Sequence, residues 1–128
     1  MKKDVEGFSA ADAEFTTGVM KKVFKTANEV DPAIFPDTLI LIKTKGKHYG
    51  DGVWYTRENC IIIPANELEA RKTNAFTTTM YHELFHVWSR LNPEKSKKTY
   101  RLIGFESIGL KNVQVPAGLA ERVLYNPD

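Results

Sequence analysis

Residues 77–91 read Thr77-Thr78-Thr79-Met80-Tyr81-His82-Glu83-Leu84-Phe85-His86-Val87-Trp88-Ser89-Arg90-Leu91. Apolar side chains recur in this stretch at spacings of three and four, which places them along one side of an α-helix. They are Met80, Leu84, Val87, Trp88 and Leu91. The pattern therefore predicts a helix whose apolar side packs into the core of the protein.

The other side of this predicted helix carries two histidines. His82 and His86 are four residues apart, so their imidazoles stand one turn apart, where both can reach one Zn²⁺ at about 2.0–2.1 Å. Glu83 lies at the edge of that face. Residues 82–86 form the motif HExxH, in which two neutral imidazoles hold the metal and the carboxylate deprotonates the water that the metal activates. The spacing indicates zinc as cofactor, His82 and His86 as ligands and Glu83 as general base.

The alternative is a buried helix that carries these three residues by chance. The chain contains three histidines, and two of them stand in this motif. Apolar residues flank them, and an unpaired imidazole or carboxylate is costly in such surroundings. Composition therefore favours a metal site over a chance match.

The motif and its apolar helix resemble the active-site helix of zincin metallopeptidases over residues 76–92. Residues 82–93, with Tyr100, residues 104–105 and residues 126–128, also resemble uncharacterised bacterial zincin-like proteins. The resemblance implies an enzyme that hydrolyses peptide bonds, with a peptide or protein as substrate. It also implies that an edge strand holds the extended peptide beside the metal, and residues 60–63 are the candidate for that strand.

The third zinc ligand is open, because a catalytic zinc takes three protein ligands and keeps one position for water. The metzincin pattern HExxHxxGxxH would place its glycine at Ser89 and its third histidine at Asn92, so this sequence departs from it twice. Gluzincins take a glutamate about twenty residues beyond the motif, and Glu106 is twenty residues beyond the second histidine. We therefore expect Glu106 as third ligand, ahead of Glu121 and Glu94.

Tyr100 is a candidate catalytic residue on the same resemblance. In several zincins a tyrosine donates a hydrogen bond to the oxyanion of the tetrahedral intermediate. The alternative for Tyr100 is an amphipathic residue of the core.

Two functions other than a peptidase stay open at this point. One is a zinc-containing domain that binds peptide or protein without cleaving it, and the other is a zinc hydrolase that acts on a different bond. Glu83 is intact, which argues against a domain that has lost its catalysis.

Composition limits the class of protein and its partners. A chain of 128 residues with 42% hydrophobic and 27% charged residues predicts one soluble domain over residues 1–128. A net charge of +2 gives no case for nucleic acid or an anionic membrane as partner, and the oligomeric state is left open. The single cysteine, Cys60, excludes an internal disulfide and is expected to be an inert core thiol. No signal peptide or transmembrane run is present in the sequence, which favours a cytoplasmic location.

The flanking segments predict the rest of the fold. Ser9 is the expected N-cap of a backing helix over residues 10–28. Three short strands are expected, with a solvated hairpin over residues 43–52 and a turn over residues 57–59. The strands are residues 38–43, which we expect inside the sheet, residues 53–56 and residues 60–63.

Capping residues predict the limits of the central helix and of the helix after it. Thr73 or Asn74 is expected to cap the central helix, and Asn92 to cap a further helix that Gly104 ends. We therefore predict an α+β, zincin-like domain. The backing helix and a small, mostly antiparallel sheet pack on the HExxH helix, and residues 107–128 are largely irregular.

Overall fold

The protein is described here by a computed structural model that covers residues 3–106, 115–116 and 118–119. The α+β class is confirmed, since these residues contain four strands and four helices. None of the helices is long and apolar enough to cross a bilayer. In chain order the elements are β1 (Val5–Glu6), α1 (Ala10–Val30), β2 (Ile40–Thr44), β3 (Tyr55–Arg57), β4 (Cys60–Pro64), α2 (Ala65–Ala70), α3 (Thr73–Leu91) and α4 (Pro93–Leu102).

Helix α1 begins where the sequence predicts. Ser9 Oγ accepts from the Asp12 backbone N–H at 3.1 Å, and Asp12 Oδ2 accepts from the Ser9 N–H at 3.0 Å, which completes a capping box. The helix ends at Val30, two residues beyond the predicted limit. Its buried apolar side chains are Val19, Val23 and Ala27, whereas Phe24 is 52% exposed. The predicted backing helix is therefore confirmed.

The sheet is mixed, in the order β1-β2-β4-β3. Its outer pairs, β1 with β2 and β3 with β4, are antiparallel, as expected, but the central pair of β2 and β4 is parallel over five residue pairs. The expected hairpin over residues 43–52 is wrong, because β4 lies between β2 and β3. Three consecutive residues, Ile61, Ile62 and Ile63, are fully buried. Their burial requires cover on both faces of the sheet and a neighbour on each edge, which only an internal strand has.

This order also corrects the candidate for an edge strand. Residues 60–63 belong to the internal strand β4, and the strand at that edge is β3. The hairpin of β3 and β4 turns at Glu58, which adopts a left-handed φ of 51° within the predicted turn. Any peptide that adds to this side of the sheet would therefore pair with β3.

Helix α3 packs its apolar side between α1 and β4. Its buried residues Phe76, Met80, Leu84 and Val87 join Val19, Val23 and Ala27 of α1 and Ile61 and Ile63 of β4 in one core cluster. Burying a side chain such as that of Leu84 stabilises the fold by about 2 kcal/mol. Leu91 is an exception, since it is 47% exposed.

The start of α3 differs from the prediction. The helix begins at Thr73, with Lys72 at the N-cap position and no side-chain cap, so neither Thr73 nor Asn74 is the cap. Instead the hydroxyl of Thr77 donates to the Thr73 carbonyl at 2.6 Å, and that of Thr78 donates to the Asn74 carbonyl at 3.0 Å. Both hydroxyl groups therefore find their hydrogen-bond acceptors on the backbone of α3 itself.

Helix α4 starts immediately after α3 and ends in a glycine turn. Asn92 does not cap it through its side chain, because Asn92 Nδ2 donates to the Trp88 carbonyl at 3.0 Å. Gly104 has a φ of 86°, and the N–H groups of Gly104 and Phe105 donate to the carbonyls of Arg101 and Tyr100. These two bonds form a Schellman motif, so the predicted glycine cap is confirmed. The irregular segment predicted over residues 107–128 lies almost wholly outside the described residues.

Candidate metal centre

The two histidines of the motif converge at one point on the surface of α3. The Nε2 atoms of His82 and His86 lie 2.9 Å apart, and their ring planes make an angle of 81°. This separation is that of a hydrogen bond, and it is within about 0.4 Å of the roughly 3.3 Å between two nitrogens that bind one tetrahedral zinc at about 2.0–2.1 Å. His82 is exposed and His86 is half-buried, so solvent reaches the pair. Imidazole nitrogens suit zinc, so the chemistry of this pair is compatible with the ion.

Glu83 lies beside the histidine pair on a buried side of α3. It is 4% exposed, and it is the single acidic residue of this helix. At about 100° per residue, Glu83 is turned about 60° from His86 in one direction and about 60° from Met80 in the other. It therefore stands at the boundary between the histidine face and the core, where bulk water is largely excluded and a proton acceptor can be held next to the histidine pair.

The side of α3 that bears Glu83 faces the edge strand. Arg90, seven residues later and so on the same side of the helix, donates from Nη2 to Thr56 Oγ1 at 2.6 Å. Its Nη1 donates to the Glu58 carbonyl at 3.0 Å, and α3 packs against β3. The guanidinium thus fixes β3 and its turn against the helix that carries the histidines.

A cavity of about 370 Å³ continues the histidine face toward α4, and we call it the α4 cavity. Ser89 of α3 lines it one turn beyond His86, and its hydroxyl donates to the His86 carbonyl at 3.1 Å. The ring of Tyr100 is 6.0 Å from that of Phe85, centroid to centroid. The other residues that line the cavity are Pro93, Ser96, Lys97, Tyr100, Phe105 and Glu106.

The structure brings two of the expected metal ligands together, but not the third. Among the described residues no His, Cys, Asp or Glu forms a group of three with the histidine pair. Glu106 lines the α4 cavity instead and is exposed. Glu94 accepts from Lys97 Nζ at 2.9 Å, and that hydrogen bond and charge lower the pKa of its carboxyl. Glu121 lies outside the described residues, so the third ligand stays a prediction.

Cys60 takes no part in this site as a nucleophile. It is half-buried on β4, and burial raises the pKa of its thiol. The thiol therefore stays protonated at neutral pH, and a protonated thiol is a poor nucleophile.

Sequence reasoning did not single out Arg90, which connects the candidate centre to the sheet. Its spacing from Glu83 carried the signal, since seven residues bring two side chains back to one side of a helix. A long charged side chain there can reach polar groups on a neighbouring element while its charged end stays in water. Thr56 and Glu58 supply them.

No protein-family model, curated protein or solved structure matches this chain. What the centre can do is therefore inferred from the arrangement of its own residues.

Proposed function

We propose that this chain is a zinc-dependent metallopeptidase with a zincin-like arrangement of its α+β fold. The observation that supports it best is the convergence of the His82 and His86 Nε2 atoms at 2.9 Å. In this proposal His82, His86 and Glu106 hold the ion. When bound, zinc supplies a Lewis acid that polarises the scissile carbonyl and lowers the pKa of the attacking water to about 7.

Glu83 moves the proton in this proposal. It accepts a proton from the water as the water oxygen adds to the carbonyl carbon, and it then donates that proton to the leaving amine as the C–N bond breaks. The low exposure of Glu83 keeps the proton from exchanging with bulk water between the two transfers. Tyr100 donates a hydrogen bond to the carbonyl oxygen as negative charge develops there.

The edge strand β3 binds the substrate in this proposal. An extended peptide pairs with the outer backbone groups of β3 through main-chain hydrogen bonds, which give affinity with little sequence preference. Arg90 holds β3 against α3 through Thr56 and Glu58, so the paired peptide runs beside the histidine face.

The proposal is tested by replacing Glu83 with Gln. The zinc-loaded parent and Glu83→Gln proteins are incubated with an unbiased peptide library, and cleavage is followed by mass spectrometry. We expect the variant to keep its zinc and to lose hydrolysis by a factor of about 10² or more, the contribution of a general base. Glu69→Gln, an equal change at an exposed position of α2, is the matched control and should cleave like the parent. Equal cleavage by the parent and Glu83→Gln would refute the mechanism.

A zinc-containing domain that binds peptides without cleaving them is the second candidate. The edge position of β3 favours it, because β3 offers its outer main-chain groups to an extended peptide whether or not a bond is then cleaved. Binding of the library without cleavage, by the parent and by Glu83→Gln alike, would favour this candidate over the peptidase.

A further inference from the structure

The α4 cavity begins one helical turn beyond His86 along α3. Ser89, which lines it, is three residues beyond His86, or about 4.5 Å along the helix axis at 1.5 Å per residue. An extended peptide advances about 3.3 Å per residue. If the scissile bond of such a peptide faces the histidine pair, a side chain one or two residues away from that bond reaches the cavity.

Lys97 is the one basic residue among the described residues that line this cavity, and it belongs to a helix of mainly positive charge. Helix α4 carries four basic residues and one acidic residue. Lys97 lines the cavity, and its partner Glu94 is 79% exposed. This ion pair therefore contributes little to stability, and another carboxylate can readily replace that of Glu94. Glu106 is the single acidic lining residue, and its carboxylate opposes a second anion in the cavity unless Glu106 binds the metal, as the proposed function assigns it.

The remaining surface suits the body of an acidic side chain. Tyr100 and Phe105 offer aromatic surface to methylene groups, and Ser89 and Ser96 add hydroxyl groups. The volume of about 370 Å³ admits a side chain as long as that of glutamate.

We infer that the α4 cavity selects an acidic residue of the substrate within two residues of the scissile bond, and that Lys97 determines this specificity. The carboxylate of the substrate replaces that of Glu94 beside the Lys97 ammonium group. This inference rests on the proposed function, because it assumes that a peptide passes along β3 and the histidine pair.

The inference is tested by binding, so that its result does not depend on hydrolysis. Zinc-loaded Glu83→Gln protein is titrated against fluorescent peptides that differ by Glu, Gln or Lys at each of the central positions in turn, and anisotropy is measured. At one of these positions the Glu peptide should bind about two- to fivefold more tightly than the Gln peptide, and the Lys peptide more weakly, as for an exposed ion pair. Raising the salt concentration from about 0.05 M to about 0.5 M should reduce the difference.

Lys97→Glu in the same background should reverse the order of the Glu and Lys peptides. Lys98→Glu, an identical change of charge at an exposed residue that does not line the cavity, is the matched control and should keep the order of the parent. Equal binding of all peptides, binding of none, or an order that Lys97→Glu leaves unchanged would overturn the inference.

Hydrolysis by the parent separates this inference from the proposed function. Cleavage that depends on Glu83 but ignores the charge of the peptide would refute the specificity and support the peptidase. A preference that depends on Lys97 without any cleavage would support the specificity and refute the peptidase.

Discussion

The guanidinium of Arg90 and the hydroxyl of Thr56 lie 2.6 Å apart, and this hydrogen bond joins α3 to β3. Thr56 is fully buried and pairs with Ile61 of β4, so its position is fixed by the sheet. Arg90 is exposed, so this hydrogen bond lies at the solvent-facing end of the contact between α3 and β3. Any displacement of β3 relative to the histidine pair must break it.

Replacing Arg90 by Ala should weaken substrate binding more than it slows the chemical step. Hydrogen bonds from a charged donor contribute up to about 3 kcal/mol to the fold, and less where the donor is exposed. A substrate that pairs with β3 must offset the part of this energy that held β3 in place, and about 1.4 kcal/mol corresponds to a tenfold change in affinity. We therefore expect KM to rise by up to about tenfold, with kcat and bound zinc little changed, in steady-state kinetics and metal analysis. Arg90→Lys keeps the positive charge but not the planar guanidinium that donates to both Thr56 and Glu58, and it should restore only part of the lost affinity. A fall in kcat alone would place Arg90 in the chemistry instead.

Both histidines of the motif should be required for zinc binding. The purified protein should contain about one zinc per chain by elemental analysis, and His82→Ala or His86→Ala should abolish stoichiometric binding, because one imidazole cannot retain the ion at this site. His48→Ala is the matched control, since His48 is exposed and lies apart from the motif. Stoichiometric zinc in the double variant of His82 and His86 would refute their assignment as zinc ligands.

The third ligand is tested by comparing two glutamates. Glu106→Ala should weaken zinc binding by more than the roughly 10- to 100-fold that loss of a residue supporting a ligand costs. Its circular dichroism should stay unchanged, because Glu106 is exposed. If a competitive chelator titration finds that Glu121→Ala weakens zinc binding and Glu106→Ala does not, the choice of Glu106 is wrong.

The capping box of α1 should make stability depend on pH in the acid range. The backbone N–H of Ser9, and then Lys43, lower the pKa of Asp12 from 3.8 to about 2. The charged carboxylate therefore stabilises the fold above pH 3.8, and this contribution is lost as the pH falls from 3.8 to about 2.

Asp12→Asn should accordingly lower the free energy of unfolding at pH 7 and at pH 5, and the deficit should shrink below pH 3.8. The measurement is urea unfolding at a series of pH values. Glu14→Gln, at an exposed position of the same helix, is the control and should behave like the parent. A deficit of constant size from pH 7 to pH 2 would contradict the role of the charge.

Features set by neighbouring residues could be predicted from the sequence. The N-cap at Ser9, the glycine turn at Gly104 and the converging pair of His82 and His86 each depend on residues within one or two turns of each other. Spacing along the chain defines such features directly. The start of α1 and the end of α4 followed for the same reason.

Features that depend on distant residues could not be predicted. Ile61 and Ile63 have the pattern of a buried strand, but the pattern does not say that β2 pairs with β4 in parallel across residues 45–54. The assignment of residues 60–63 to an edge was wrong for that reason. The third ligand is open on the same ground, since a metal site collects residues from separate elements and no local period relates Glu106 to the histidines.

Strand β1 has a consequence for how the protein behaves in concentrated solution. It covers the outer edge of β2 only opposite Lys43 and Thr44, while Glu6 forms ion pairs with Lys43 and Lys45 at 3.9 and 3.5 Å. An apolar strand with an uncovered edge is a template on which a second molecule can add, and charges at its rim oppose this. Val5 and Glu6 therefore limit the pairing of a second molecule with this end of β2, and removing them would leave the whole outer edge of β2 open to such pairing.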